Sequence, residues 1–116
     1  MTEIKDSGKR ASYDSGMVRE PDDGRIDFTL CFPLDVPFDE QMFVRFAKHM
    51  TKGAEKYTKR NWEKANSQEE LNRYYASAFR HFMQWIHNET DEDHAAAVLF
   101  NIWAAEFVKG RIQKKW

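Results

Sequence analysis

The chain is poor in the residues that build special frameworks. It has one cysteine, Cys31, which excludes an internal disulfide and a thiolate zinc pair and fits a reducing compartment. It has three prolines, and two of them, Pro33 and Pro37, fall in a single stretch that they bar from being a helix. No sign of charge prevails: 19 Asp plus Glu stand against 18 Lys plus Arg. That balance removes any general pull toward nucleic acid or an anionic membrane, so anion binding must come from a local cluster. No apolar run approaches the length of a membrane span. Met1 to Arg10 is polar and charged, so no secretory leader is expected there. A P-loop, a dinucleotide fingerprint and a serine elbow are all missing. The expectation is a cytoplasmic protein with no membrane or direct nucleic-acid contact.

What is present argues for one globular domain. At 116 residues there is no room for two ordinary cores, and 15% aromatic content is high for that size. A small domain buries a limited share of its surface, which makes a homodimer or higher homo-oligomer an economical way to hide more. Residues 1–27 are polar, carry Gly8, Gly16 and Gly24, and read as an arm, either flexible or strapped onto the rest. Residues 28–116 read as the folded domain. Ile26 to Val36 alternates weakly and is expected to be extended. Three helices follow. Phe43, Phe46, Ala47, Met50, Ala54 and Tyr57 recur at helical spacing over about Asp39 to Tyr57. A capping-box pair, Ser67 and Glu70, opens a second helix from Gln68 to about Asn88. The third is expected from Asp91 to Lys109, with Thr90 as cap, acids in its first turn and Gly110 as its stop. Between Ala95 and Val108 only Asn101 and Glu106 are polar, and a helix apolar all round is buried on every side. The fold class is therefore all-α: three main helices in an antiparallel bundle, completed by dimerisation, with an extended N-terminal arm.

Two clusters can carry chemistry. Glu89, Thr90, Asp91, Glu92, Asp93 and His94 join the second helix to the third, just after Arg80, His81 and His87. Carboxylate oxygens suit magnesium or manganese, and imidazole suits manganese better. If the two helices are antiparallel, His81, Asp93, His94 and Asn101 surround one cavity near the turn. The bland readings stand beside this. First-turn acids commonly complement a helix dipole. A histidine on an apolar stripe is often a hydrogen-bonded core residue, and a buried amide such as Asn101 can pair with a backbone carbonyl. The second cluster runs from Lys52 to Trp62 and interleaves Lys56 and Arg60 with Tyr57 and Trp62, cations for phosphates and rings for a base. Its alternative is a solvated helix end. Arg19 and Arg25 in the arm can close over an anion or lie in solvent.

The order of these pieces resembles the phage dATP/dGTP diphosphohydrolase family. The matching stretches are Gly53 to Ala65 (GAEKYTKRNWEKA) and Ser77 to Trp103 (SAFRHFMQWIHNETDEDHAAAVLFNIW). They carry Gly53, Ala54, Lys56, Tyr57, Asn61, Trp62, Arg80, His81, Trp85, Glu92, Asp93, His94 and Asn101. A weaker match lies in Asp14 to Phe28. The family is allied to the all-α MazG-like pyrophosphohydrolases. The resemblance implies helices paired across a dimer and magnesium- or manganese-dependent cleavage of a purine deoxynucleoside triphosphate to monophosphate and pyrophosphate. In a phage-infected host such an enzyme adjusts the deoxynucleotide pool. On this reading Glu89, Glu92, Asp93 and His94 hold the metal, and His81, Glu92 and Asp93 serve catalysis. Substrate is bound by Lys56, Tyr57, Arg60, Asn61, Trp62, Arg80, Asn101 and Arg19. One departure stands out. Glu89 and Glu92 have a Glu-x-x-Glu spacing, but no acidic pair follows within the third helix. That departure favours an alternative, a binding module of the same fold that sequesters a nucleotide, including a host signalling nucleotide, without cutting it. A structural or regulatory interaction protein, with the apolar third helix as partner surface, is the third reading.

Overall fold

The computed structural model describes residues 6–21 and 23–116; residues 1–5 and 22, part of the expected polar arm, lie outside the described residues. The chain divides into two compact units, Met1–Leu30 and Cys31–Trp116. The first holds a two-residue antiparallel pair, β1 (Ala11–Ser12) and β2 (Val18–Arg19), with Ala11 opposite Arg19. Gly16 takes φ 92° in the turn between them, where its N–H donates to Tyr13 O at 2.9 Å. The stretch expected to be extended instead makes a 3-10 turn at Phe28–Cys31. The Asp27 carboxylate accepts the Thr29 backbone N–H at 3.0 Å, and that local side-chain bond wins over the weak alternation.

The second unit is all-α, as its periodicity predicts: α1 (Met42–Lys56), α2 (Gln68–Ile86) and α3 (His94–Ile112). Helix α1 starts later than expected, because Gln41 stays extended at ψ 134°. Its side-chain amide donates to Pro33 O at 2.9 Å and Val36 O at 3.0 Å, clasping the proline turn to the helix start. Helix α2 opens on the expected capping box: Glu70 N–H donates to Ser67 Oγ at 3.2 Å, and Ser67 N–H donates to Glu70 Oε1 at 3.1 Å.

Helix α3 departs from expectation at both ends. Its cap is Asp93, whose carboxylate accepts Ala96 N–H at 3.1 Å, so Asp91 and Glu92 belong to the connection rather than the first turn. At the far end it runs through Gly110. The Trp116 ring lies across that glycine, where any Cβ would meet it, and the indole N–H donates to Phe107 O at 3.2 Å. Gly110 thus serves close approach, not termination.

Helices α2 and α3 form an antiparallel hairpin. On α3 the buried residues His94, Ala97, Asn101, Ala104, Ala105 and Val108 recur every three to four positions. They pack against a stripe on α2 that includes the buried residues Leu71 and His81. Leu71, Ala65, Ala105 and Val108 are the centre of the core, with Tyr74 against them. Because four of the α3 residues are alanines no more than 5% exposed, the two backbones approach closely. Helix α1 and the 3-10 turn Asn61–Lys64 cover another side of α3, through Phe46 on Trp103 (4.9 Å between rings) and Trp62 on Phe107 (5.2 Å). α3 is not enclosed all round, since Ile102 and Trp103 stay about half exposed. Tyr75, Phe79, Phe82, Met83 and Ile86 leave an apolar stripe open along α2. No helix among the described residues is long and apolar enough to cross a membrane.

Candidate metal centre

The hairpin register sets His81 of α2 level with His94 of α3, at the end where residues 87–93 connect the helices. Both imidazoles are buried, and their Nδ1 atoms are 2.9 Å apart. The bonds at either end of the pair fix its protons. The Asp91 carboxylate only accepts, so the 2.7 Å contact at His94 Nε2 is an N–H donated to Asp91 Oδ1. His94 Nδ1 is then a lone pair, which accepts the Nδ1–H of His81. The Arg80 guanidinium only donates, and its Nη2 lies 3.2 Å from His81 Nε2, which must accept. Arg80, His81, His94 and Asp91 therefore form one chain of four groups in which both histidines are neutral and each tautomer is defined.

Glu92 approaches the same point, with Oε1 3.8 Å from His81 Nδ1. One ligand atom from each of His81, Glu92 and His94 lies within 4.8 Å of the others. Two nitrogens 2.9 Å apart are spaced as neighbouring ligands would be on one ion at about 2.0–2.1 Å from each. The donor set, two imidazoles and a carboxylate, fits a first-row transition ion, manganese among those that accept it, better than magnesium. Asp91 stands where an outer carboxylate orients a metal-binding histidine. These residues fit a divalent cation.

Asp93, expected among the ligands, is turned elsewhere. Arg45 of α1 grips it with two hydrogen bonds, Nε to Oδ2 and Nη2 to Oδ1, both 2.8 Å. The guanidinium, helped by the Ala96 N–H, holds the Asp93 carboxyl below its ordinary value, and Asp93 in turn raises Arg45. Asn101 lies seven residues along α3 from His94, about 10 Å at the helical rise. Its amide donates to Ala97 O at 2.8 Å, one turn back in its own helix.

An open cavity of about 490 Å³ sits over the connection, lined by Arg45, Trp85, Asn88, Glu89, Thr90, Glu92, Asp93, His94 and Ala95. The lysine-arginine-tryptophan segment does not line it. Trp62 is half buried, edge-on to Phe100 and Phe107, roughly 9–20 Å along α3 from His94 at the helical rise. Lys56, Tyr57 and Asn61 are exposed, Lys56 over the Tyr57 ring at 5.3 Å, and Arg60 pairs with Glu63 at 2.6 Å. Arg19 lies on β2 in the first unit.

Two contributors escape a reading of the sequence alone, Arg45 and His49; Trp85, matched there by the family pattern without a role, forms a wall of the cavity. Gln41, Arg45 and His49 recur at i, i+4 and i+8, a polar stripe beside the apolar face of α1, and that spacing is the signal that would have found them. His49 packs on Phe100 at 5.1 Å and feels the charges of Glu92 and Asp93.

Burial pushes both His49 and His81 below the ordinary imidazole value of 6.5. Acid must then charge rings that the folded state prefers neutral, while the unfolded chain takes the protons freely. The stability these rings confer is whole above the unfolded value and is lost as pH falls through it toward the lowered folded values. Thermal melts from about pH 7.5 down to about pH 5 should show a falling Tm, and the fall should shrink in His49→Gln. A Tm that is flat or rises over that window would count against neutral buried rings.

An all-α helical hairpin with an imidazole–carboxylate cluster at its bend defines the class of molecule. A family model described as dATP/dGTP diphosphohydrolase, N-terminal, matches residues 15–115, and the chain belongs to that family. No curated protein and no solved structure gives a match.

Proposed function

We propose that this protein hydrolyses purine deoxynucleoside triphosphates, dATP or dGTP, to monophosphate and pyrophosphate with a divalent cation, manganese or magnesium. The observation that carries the reading is the convergence of His81, Glu92 and His94 beside a cavity of nucleotide size, about 490 Å³, in a chain of this family. A bound cation would neutralise phosphate charge and lower the pKa of a coordinated water. The protein's own groups do the rest. His81, Glu92 and His94 hold the ion, and Asp91 fixes the orientation of His94. Asp93 acts as a positioning residue that ties α1 to the start of α3 through Arg45. Arg80, exposed beside His81, meets the phosphates. Trp85, 51% exposed on the cavity wall, is the platform for the base, with Asn88 and Glu89 at its edge. Lys56, Tyr57, Arg60, Asn61 and Trp62 stay outside the reacting centre in this scheme, and the cationic ones supply longer-range attraction. Asn101 shapes the hairpin, and Arg19 belongs to the arm.

The apolar stripe on α2 favours a second copy of the chain as its cover, and the setting is the cytoplasm of a phage-infected host. The direct test is incubation of the protein with dGTP or dATP and manganese. Pyrophosphate release is expected, and Trp85→Ala should raise KM about tenfold, as loss of one stacked base contact of roughly 1–3 kcal/mol predicts. Tight nucleotide binding without pyrophosphate would end the hydrolase reading. It would leave a sequestering protein, which the lack of an acidic pair within α3 favours; intact nucleotide would then be recovered after heat denaturation.

A further inference from the structure

We propose that Arg80 is a latch on the cation site, holding His81 in the tautomer that cannot ligate, and that a phosphate group opens it. This rests on the His81–Glu92–His94 site proposed above. His94 offers its Nδ1 lone pair at once, because Asp91 keeps the His94 proton on Nε2. His81 does not. Its Nε2 accepts from the Arg80 guanidinium at 3.2 Å, so its proton sits on Nδ1, the very atom that faces His94 and Glu92. For both Nδ1 atoms to bind one ion, that proton must move to Nε2. An N–H there would point at the N–H of Arg80, so the guanidinium has to leave first.

Nothing holds Arg80 strongly in place. It is exposed, no carboxylate among the described residues pairs with it, and its partner is a neutral imidazole. A phosphate oxygen is a better acceptor, because the bond is charge-assisted and can be bidentate. An anion arriving beside α2 would draw Arg80 away, release His81 Nε2 to carry the proton, and leave two imidazole lone pairs aimed at one point. No bond between heavy atoms is made or broken; the Nδ1–H bond of His81 is exchanged for an Nε2–H bond through solvent. One proton changes ring nitrogen, and one donor exchanges an imidazole for a phosphate. Anion and cation then bind with positive coupling, and the metal is held firmly only when there is something to cut. The arginine is a positioning residue for the ion as well as a contact for the substrate.

Two measurements on the full chain test this. The first is imidazole nitrogen NMR without metal. His81 should show a protonated Nδ1 and an unprotonated Nε2, and inorganic pyrophosphate should shift it toward the opposite tautomer. The second is titration with manganese(II) alone. Arg80→Gln should bind the ion about tenfold more tightly than the unmodified protein, the scale on which outer partners tune metal sites. Arg73→Gln removes a cation seven residues back on the same helix face without touching His81, and should leave affinity unchanged. Finding His81 protonated on Nε2 in the free protein would overturn the latch, as would equal manganese affinity in Arg80→Gln and the unmodified protein. Equal tightening by Arg73→Gln would reduce the effect to bulk charge and overturn it too. If neither the unmodified protein nor Arg80→Gln binds manganese, the cation site itself falls and the latch with it; binding to both with equal affinity removes the latch alone.

Discussion

Replacing His94 by alanine is expected to lower manganese-dependent pyrophosphate release from dGTP by at least about 100-fold, since even outer partners of metal ligands cost 10–100-fold when removed. His94 is the junction of the site. It accepts from His81, donates to Asp91, begins α3 and lines the cavity. The substitution removes a proposed ligand and leaves the Nδ1–H of His81 without its acceptor. Because the ring is buried, some stability will be lost as well, so His94→Gln is the needed companion: it keeps bulk and polarity while withdrawing the imidazole. Manganese binding and melting temperature should be recorded with the turnover. Both variants should lose manganese affinity, and the glutamine variant should melt closer to the unmodified protein. Turnover within tenfold in a folded His94→Gln protein would remove His94 from the chemistry.

Leu71→Ala is expected to destabilise the fold by about 2–5 kcal/mol, the usual range for a buried leucine. Leu71 is 4% exposed and packs with Ala65, Ala105 and Val108, three residues too small to collapse into the space it would vacate. Among the described residues no side chain larger than Val108 is wholly buried, so the core has few other contributors to absorb the loss. Against a typical domain stability of about 5–15 kcal/mol the effect is a substantial fraction of the whole. Urea denaturation should show a lower midpoint with an unchanged slope. A loss under about 1 kcal/mol would mean that a neighbouring surface, such as a second copy, carries most of the stability.

Local signals were legible in the sequence and long-range ones were not. The capping box at Ser67 and Glu70 is complete within four residues, and the start of α2 follows from it. The α3 cap was expected at Thr90 and is Asp93, because Thr90, Asp91 and Asp93 are all good caps by type and only the bonding of Asp93 to Ala96 decides among them. Gly110 reads as a stop until Trp116 is known to fold back on it. The facing of His81 toward the start of α3 follows from an antiparallel hairpin, but its partner is set by register, which puts His94 rather than Asn101 opposite. The grip of Arg45 on Asp93 spans 48 residues of sequence, and no local spacing announces it. The basic segment around Trp62 looked like a nucleotide platform by composition, yet a tryptophan beside a hairpin rich in alanine finds Phe100 and Phe107 first.

Those alanines have a consequence for how the protein can vary. Ala97 and Ala104 lie on the same stripe as His94, and each is fully buried. A larger residue at either position would act as a wedge, prising the hairpin apart by an ångström or so well before it melted the chain. The ring-to-ring gap would widen first, and a displacement of that size is enough to spoil alignment at a reacting centre. Bulk at a site that touches neither ion nor nucleotide would therefore silence the chemistry in a protein that still looks folded.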